Sequence, residues 1–337
     1  MYEAFYGLSE APFELTANPK FLLLTSRHRE ALSNVRYGMT GRKGLTLLLG
    51  DAGTGKTTVV RAALDGWQST GVLVAYVNNP LLSRAEFLEY LADGFGLSPA
   101  AANSKSRFLS ELTEKVLQRH SEGLVTGLLV DEAQSLSNDL LEEIRLLANI
   151  DTPTEKVFPV VLVGQPELAE RLNQPNLRQI KQRISLRCSL GPLDARETAG
   201  YITGRIQIAG GSSMHLFTRE ALRAIYEGSR GIPRLINVIC DNVLLAGFAA
   251  NRKPITHDLV QEICRDFDLM PEAAASTPAA PTASLIGVPA PAPAVPPAAP
   301  QPPQAANATD AAPAAPARKE NSTLFGHFTS KRRFSFF

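Results

Sequence analysis

Short apolar runs alternate with longer stretches in which apolar residues recur every third or fourth position over the first two thirds of the chain. The runs are Leu45–Leu49, Val72–Val77, Leu128–Val130 and Val157–Val163, and Arg183–Leu190 suggests a last strand. The periodic stretches are Lys56–Trp67, Arg84–Phe95, Arg107–Gln118 (with Phe108, Leu112 and Val116 in near-helical register) and Asp139–Ile150. Apolar runs without polar alternation fit strands buried on both faces, and the intervening helices are the crossovers that a parallel sheet requires. The predicted fold class is α/β, a three-layer parallel sheet domain over residues 45–193.

The pattern changes on either side of that domain. In residues 194–268 four helical segments follow one another: Arg196–Ala209, Arg219–Ser229, Leu235–Ala250 and Asp258–Phe267. Leu235, Ile239, Asn242, Val243 and Ala246 form the expected buried stripe of the third, and Pro233 stands where a first-turn proline is tolerated. This segment reads as a small all-helical lid. Residues 1–44 hold a turn-rich aromatic stretch, with Phe5, Tyr6, Phe13 and Phe21. A helix from about Arg27 to Met39 follows, with Ala31, Leu32, Val35 and Met39 on one face. This lead-in is expected to pack on the sheet domain; plain apolar packing and a contribution to that domain's site are both open to it. Residues 269–337 are dominated by Pro and Ala and end in Lys331-Arg332-Arg333-Phe334-Ser335-Phe336-Phe337. Such composition predicts a disordered, partly polyproline tether with a basic-aromatic end, which at ~3.1 Å per residue spans on the order of 100 Å.

Composition narrows the function classes. A net charge of +1 gives no broad field for nucleic acid. Cys188, Cys240 and Cys264 lack metal-ligand spacing and sit in apolar contexts, which fits reduced core thiols in a cytoplasmic protein. The N-terminus has no basic region followed by a long apolar run, and no stretch of roughly 18 apolar residues predicts a membrane span.

The chemistry is concentrated behind the first apolar run. Gly50-Asp51-Ala52-Gly53-Thr54-Gly55-Lys56-Thr57, followed by Thr58, has the spacing G-x-x-x-x-G-K-[ST] between a strand and a helix. Glycines there let backbone N–H groups converge on phosphate oxygens at a helix N-terminus. Lys56 is placed to reach the β/γ-phosphates and Thr57 to ligate Mg²⁺. ATP and Mg²⁺ are the expected ligands. Leu128–Val130 ends in Asp131-Glu132, an apolar strand closing on two acids. Asp131 is the expected second Mg²⁺ residue and Glu132 the residue that orients the attacking water.

Three further positions extend that site. Gln165, closing the next run, is placed to sense the γ-phosphate, or else caps a helix. Arg178, Arg183 and Arg187 surround the last strand, and Arg183 is the first choice for an arginine lent to a neighbouring subunit's phosphate. Arg234, in Gly231-Ile232-Pro233-Arg234, opens the third lid helix and can reach back to the γ-phosphate or sit in a surface ion pair.

Together these motifs resemble the P-loop AAA+ ATPases. Tyr2-Glu3-Ala4-Phe5-Tyr6-Gly7-Leu8, Pro12-Phe13, Val163-Gly164-Gln165-Pro166-Glu167-Leu168 and Gly191-Pro192-Leu193 resemble the ExeA, or general secretion pathway protein A, group in particular. The resemblance covers residue 1 to about 268. It implies an ATP-hydrolysing homo-oligomer that assembles or regulates secretion, exopolysaccharide or envelope machinery. Residues 269–337 show no membrane span and no peptidoglycan-binding module, so a cytoplasmic protein is expected, with peripheral membrane contact through its basic-aromatic end. A DNA-binding regulatory ATPase of the transposition or initiation type is the alternative, and a nucleotide-dependent scaffold with little turnover is the second.

Overall fold

Five parallel strands in the order β2-β3-β4-β1-β5 form the centre of the computed structural model: β1 (Leu45–Gly50), β2 (Val72–Val77), β3 (Val125–Val130), β4 (Val160–Gly164) and β5 (Ile184–Leu190). The structure describes residues 1–15, 19–21, 23–212 and 216–269. The predicted tether and its basic-aromatic end lie outside the described residues from position 270 onward.

Helices cover both faces, one ahead of the first strand and the others on the crossovers between strands. They are α2 (Ser26–Thr40), α3 (Lys56–Trp67), α4 (Arg84–Gly94), α5 (Pro99–Ala102), α6 (Lys105–Ser121), α7 (Asn138–Leu147), α8 (Pro166–Arg171) and α9 (Arg178–Lys181), after a first turn α1 (Glu3–Tyr6). Period-2 alternation sorts the strand residues between two cores. Leu45, Leu47, Leu49, Leu128, Val130, Val160 and Leu162 face a layer built with α4, α6 and α7. Leu48, Leu129, Val161 and Val163 face Val35 and Met39 of α2 and Val59, Val60 and Trp67 of α3. β1 is buried along its whole length because it lies between β4 and β5. The chain leaves β1 for β2 past β4 and β3. Such a reversal of strand order leaves a crevice at the carboxyl ends of the strands, which is where the β1–α3, β3 and β4 exits gather.

The lid comprises α10 (Ala195–Ile208), α11 (Arg219–Ser229), α12 (Pro233–Ala249) and α13 (His257–Asp266). α10 starts at a capping box, with Asp194 accepting from the Glu197 N–H and Glu197 accepting from the Asp194 N–H. The buried stripe of α12 differs from the sequence expectation. Ile236, Asn237, Cys240 and Leu244 are inside, whereas Leu235, Asn242 and Ala246 are only half-buried. The helix has apolar residues almost all round, so periodicity alone leaves its rotation open.

The aromatic stretch that precedes α2 joins the lid rather than the sheet. Tyr2, Tyr6, Leu8, Phe13 and Phe21 are buried in one cluster with Ile202, Ile206, Ile239, Val243 and Leu259. Tyr2 donates to Asp241 at 2.5 Å, the Ser9 N–H donates to the Ala209 carbonyl at 2.8 Å, and Arg205 Nε donates to the Pro12 carbonyl at 2.6 Å. α2, with Ala31, Leu32, Val35 and Met39, packs on the sheet, and Leu24 just before it joins the same cluster. The lid is therefore tied to the sheet domain from both sides, before α2 and after β5.

Candidate functional site

The turn between β1 and α3 curls because two of its glycines hold φ of +79° (Gly53) and +99° (Gly55), a region that L side chains rarely enter. Thr54 steadies the curl by donating through N and Oγ1 to the Asp51 carbonyl, at 3.3 and 2.8 Å. Lys56 is buried, and its ammonium donates to the Gly50 and Asp51 carbonyls at 2.8 and 3.0 Å. Burial lowers the Lys56 pKa, against the upward pull of Glu132 and Asp131. A buried cation at a helix N-terminus, held by two carbonyls alone, fits an anionic ligand.

From across the crevice comes the end of β3. Asp131 is fixed by its N–H donating to the Val77 carbonyl at 2.8 Å, and its carboxylate accepts from Thr57 Oγ1 at 3.0 Å and from the Glu132 N–H at 2.9 Å. Burial pushes the Asp131 pKa up, opposed by those two hydrogen bonds. Tyr76 stands at 3.5 Å from the same carboxylate, and burial pushes its phenol up to about 12. A hydroxyl and a carboxylate oxygen this close, beside a phosphate-type loop, are a donor set suited to Mg²⁺, which takes few protein ligands and keeps water and phosphate oxygens. No cluster of three or more His, Cys, Asp or Glu exists among the described residues to compete with it.

Glu132 adopts left-handed backbone angles, φ +50° and ψ +36°. The chain turns sharply after the strand there, and Glu132 lines the same cavity of about 800 Å³ as Lys56, Thr57, Gln165 and Arg234. Gln165 stands at the N-cap position of α8 without a side-chain capping hydrogen bond, and its N–H donates to Gln134 Oε1 at 3.0 Å. Arg234 enters from the lid. Its N–H donates to the Gly53 carbonyl at 3.2 Å, so the first turn of α12 rests on the phosphate-type loop.

The other half of the cavity is built by residues that no motif indicates. Leu15, Phe21 and Leu23 of the N-terminal stretch face Tyr201, Arg205 and Asn237 of the lid, with Arg61 beside them. Arg205 is buried and donates to Tyr201 Oη at 2.6 Å and to Asn237 Oδ1 at 3.2 Å, with its guanidinium 5.2 Å from the Phe21 ring centre. Aromatic and aliphatic walls with few fixed polar groups suit a planar base. His28 of α2 closes the floor. Its Nδ1 lies 2.8 Å from Thr25 Oγ1 and its Nε2 lies 3.1 Å from the Thr54 carbonyl, and burial lowers its pKa. His28, Arg205 and Asn237 carry no sequence signature, because the contacts that place them in the site, His28 with Thr54, Arg205 with Pro12 and Asn237 with Tyr201 and Arg205, join residues far apart along the chain.

The structure thus brings Gly50–Thr58, Asp131, Glu132, Gln165 and Arg234 together. It leaves Arg178, Arg183 and Arg187 outside the cavity lining. Ile184 pairs with Leu45 and Leu190 with Gly50, so Arg183 precedes the end of β5 opposite the loop, about 20 Å away at ~3.3 Å per residue. The three cysteines are free and buried in the cores, and no described helix is long and apolar enough to cross a membrane.

Residues 39–172 match the family described as AAA domain. The chain is 43% identical over 258 residues to general secretion pathway protein A of Aeromonas hydrophila, covering 76% of this chain and 47% of the relative, so it spans about half the length of that protein. Among solved structures it is similar to the CDC6P protein of Pyrobaculum aerophilum (TM-score 0.58, 21% identity, 77% of this chain and 70% of that one). It is also similar to the Aeropyrum pernix ORC2 protein in ADPNP-ADP complexes (TM-score 0.56, 19% identity, 77% and 72%). These two likenesses concern the fold.

Proposed function

The chain belongs to the AAA+ ATPases of the general secretion pathway protein A group, and we propose from this premise that it hydrolyses ATP with Mg²⁺ to drive assembly or regulation of secretion or envelope machinery. The observation that carries the enzymatic part is the convergence of Lys56, Thr57 and Glu132 on one cavity, with Asp131 3.0 Å from Thr57 at its edge.

In this reading the base lies between the N-terminal aromatic stretch and Tyr201 of the lid. Lys56 exchanges its carbonyl acceptors for β/γ-phosphate oxygens. Thr57 and Asp131 hold Mg²⁺, which supplies charge neutralisation on those oxygens when bound. Glu132 accepts a hydrogen bond from a water and orients its lone pair toward the γ-phosphorus. The water oxygen bonds to phosphorus as the bond to the β–γ bridging oxygen breaks, giving ADP and phosphate. Gln165 and Arg234 contact the γ-phosphate from β4 and from the lid. Closure of the lid on the loop makes its position responsive to the nucleotide, and Arg183 serves a neighbouring copy in a homo-oligomer.

The test is paired. Lys56→Ala loses nucleotide binding, read with a fluorescent ATP analogue. Glu132→Gln keeps binding but loses about 100-fold or more of its phosphate release. Normal turnover in Glu132→Gln removes the catalytic assignment, and a wild-type chain that binds ATP without releasing phosphate is a scaffold instead.

A further inference from the structure

Two residues after the pair of acids stands a glutamine whose side chain is engaged at both ends. Gln134 Nε2 donates to Glu132 Oε2 at 2.5 Å, and Gln134 Oε1 accepts from the Gln165 N–H at 3.0 Å. The amide cannot be reversed, since that would set two donors against each other and a carbonyl oxygen against a carboxylate. The main chain holding it is also fixed. Gln134 lies in the 3-10 turn Ala133–Ser135, and its carbonyl accepts from Arg171 Nη1 at 2.6 Å. The fit against β4 is close: a Cβ on Gly164 would stand 2.9 Å from Gln134 Oε1.

We propose that Gln134 is the positioning residue for Glu132, a carboxamide bridge that fixes the water-orienting carboxylate and ties it to the backbone of the γ-phosphate-facing Gln165. The proposal rests on the ATPase reading and adds to it the device that aims the carboxylate. A glutamate side chain has three rotatable bonds, and water orientation requires one geometry. The bridge occupies one carboxylate oxygen and leaves the second available to the water. It also joins the ends of β3 and β4, so the acid and the loop facing the γ-phosphate keep their relative placement.

Steady-state ATP hydrolysis with full-length wild type, Gln134→Ala and the nearly isosteric Gln134→Met tests this, with single-turnover measurements on Glu132→Gln and the Gln134→Ala/Glu132→Gln double variant. Both Gln134 variants are expected to lose about tenfold or more in kcat with KM for ATP and thermal midpoint near wild type. In the Glu132→Gln background Gln134→Ala is expected to change the rate less than twofold, because a residue acting through Glu132 has nothing left to position (an order-of-magnitude criterion). Wild-type kcat in both variants, a KM rising in step with the loss, or an equal further loss in the Glu132→Gln background overturns the proposal. A wild type without turnover overturns the ATPase reading along with it, whereas an active wild type with indifferent Gln134 variants overturns this inference alone.

Discussion

Thr57 Oγ1 donates to Asp131 Oδ2 across 3.0 Å, joining the start of α3 to the end of β3. The carboxylate is buried, and its pKa is raised by desolvation although two hydrogen bonds oppose the shift. A raised folded-state pKa means that the ionised group is a liability to the fold above that pKa. The liability disappears as the pH falls below the unfolded value. Asp131→Asn keeps the shape and a hydrogen-bonding partner for Thr57 without the charge. In Mg²⁺-free buffer at pH 7.5 it is expected to melt about 2–4 °C higher than wild type, for a change of about 1 kcal/mol in a domain of this size. That gap closes as the pH is lowered, while Mg²⁺-dependent phosphate release is lost. An unchanged or lower midpoint at neutral pH contradicts the stored cost.

His28 gives the opposite slope. Its ring is buried between Thr25 and the Thr54 carbonyl, and desolvation lowers its pKa. The unfolded chain therefore binds a proton that the folded chain refuses. Stability is full above the unfolded value of about 6.5 and falls as the pH descends from there toward the lowered folded value, by at most about 1.4 kcal/mol per pH unit for one proton. His28→Gln retains a donor for the Thr54 carbonyl without that titration. Thermal midpoints of wild type and variant at pH 7.5 and 5.5 are expected to diverge on acidification, with wild type falling faster. Parallel curves dismiss His28 as a source of acid sensitivity.

The contact between loop and lid is tested at Gly53. Its φ is +79°, and a Cβ there would lie 2.8 Å from Arg234 Cβ. Gly53→Ala is expected to lose about 1 kcal/mol or more through the left-handed backbone, and the crowding displaces α12 from the loop. ATP affinity and thermal midpoint should fall together. A midpoint shift with wild-type affinity shows that the lid contact does not shape the nucleotide site.

The loop at Gly50–Thr57, the acids at Asp131 and Glu132 and the parallel sheet were legible in the sequence because each is written locally, as an apolar run and a short motif in register. What escaped was written in pairs. Tyr2 reaches Asp241, and Arg205 reaches Pro12, Tyr201 and Asn237. No local pattern announces that the N-terminal aromatics belong to the lid. The rotation of α12 escaped for another reason: with apolar residues nearly all round, burying Asn237 rather than Asn242 depends on the hydrogen bonds that Tyr201 and Arg205 make to it. Gln134 sits two residues past a recognisable motif, yet its role appears only where β4 brings the Gln165 N–H alongside.

Arg183 puts the oligomer to the test. It is half-buried before β5, at the far end of the sheet from its own phosphate-type loop, and lies outside the cavity lining. If it contributes to hydrolysis, it must do so in a neighbouring copy, where an arginine stabilises charge on the transferred phosphoryl. Arg183→Ala is then expected to bind ATP normally and lose at least about tenfold in phosphate release. Lys56→Ala fails for the complementary reason, since its own loop is impaired while its Arg183 is intact. Mixing the two inactive variants places intact loops beside intact arginines, and activity should rise above the sum of the separate proteins and grow with total concentration. An Arg183→Ala chain at wild-type rate removes the arginine from the site, and a loss without recovery on mixing confines its effect to its own subunit.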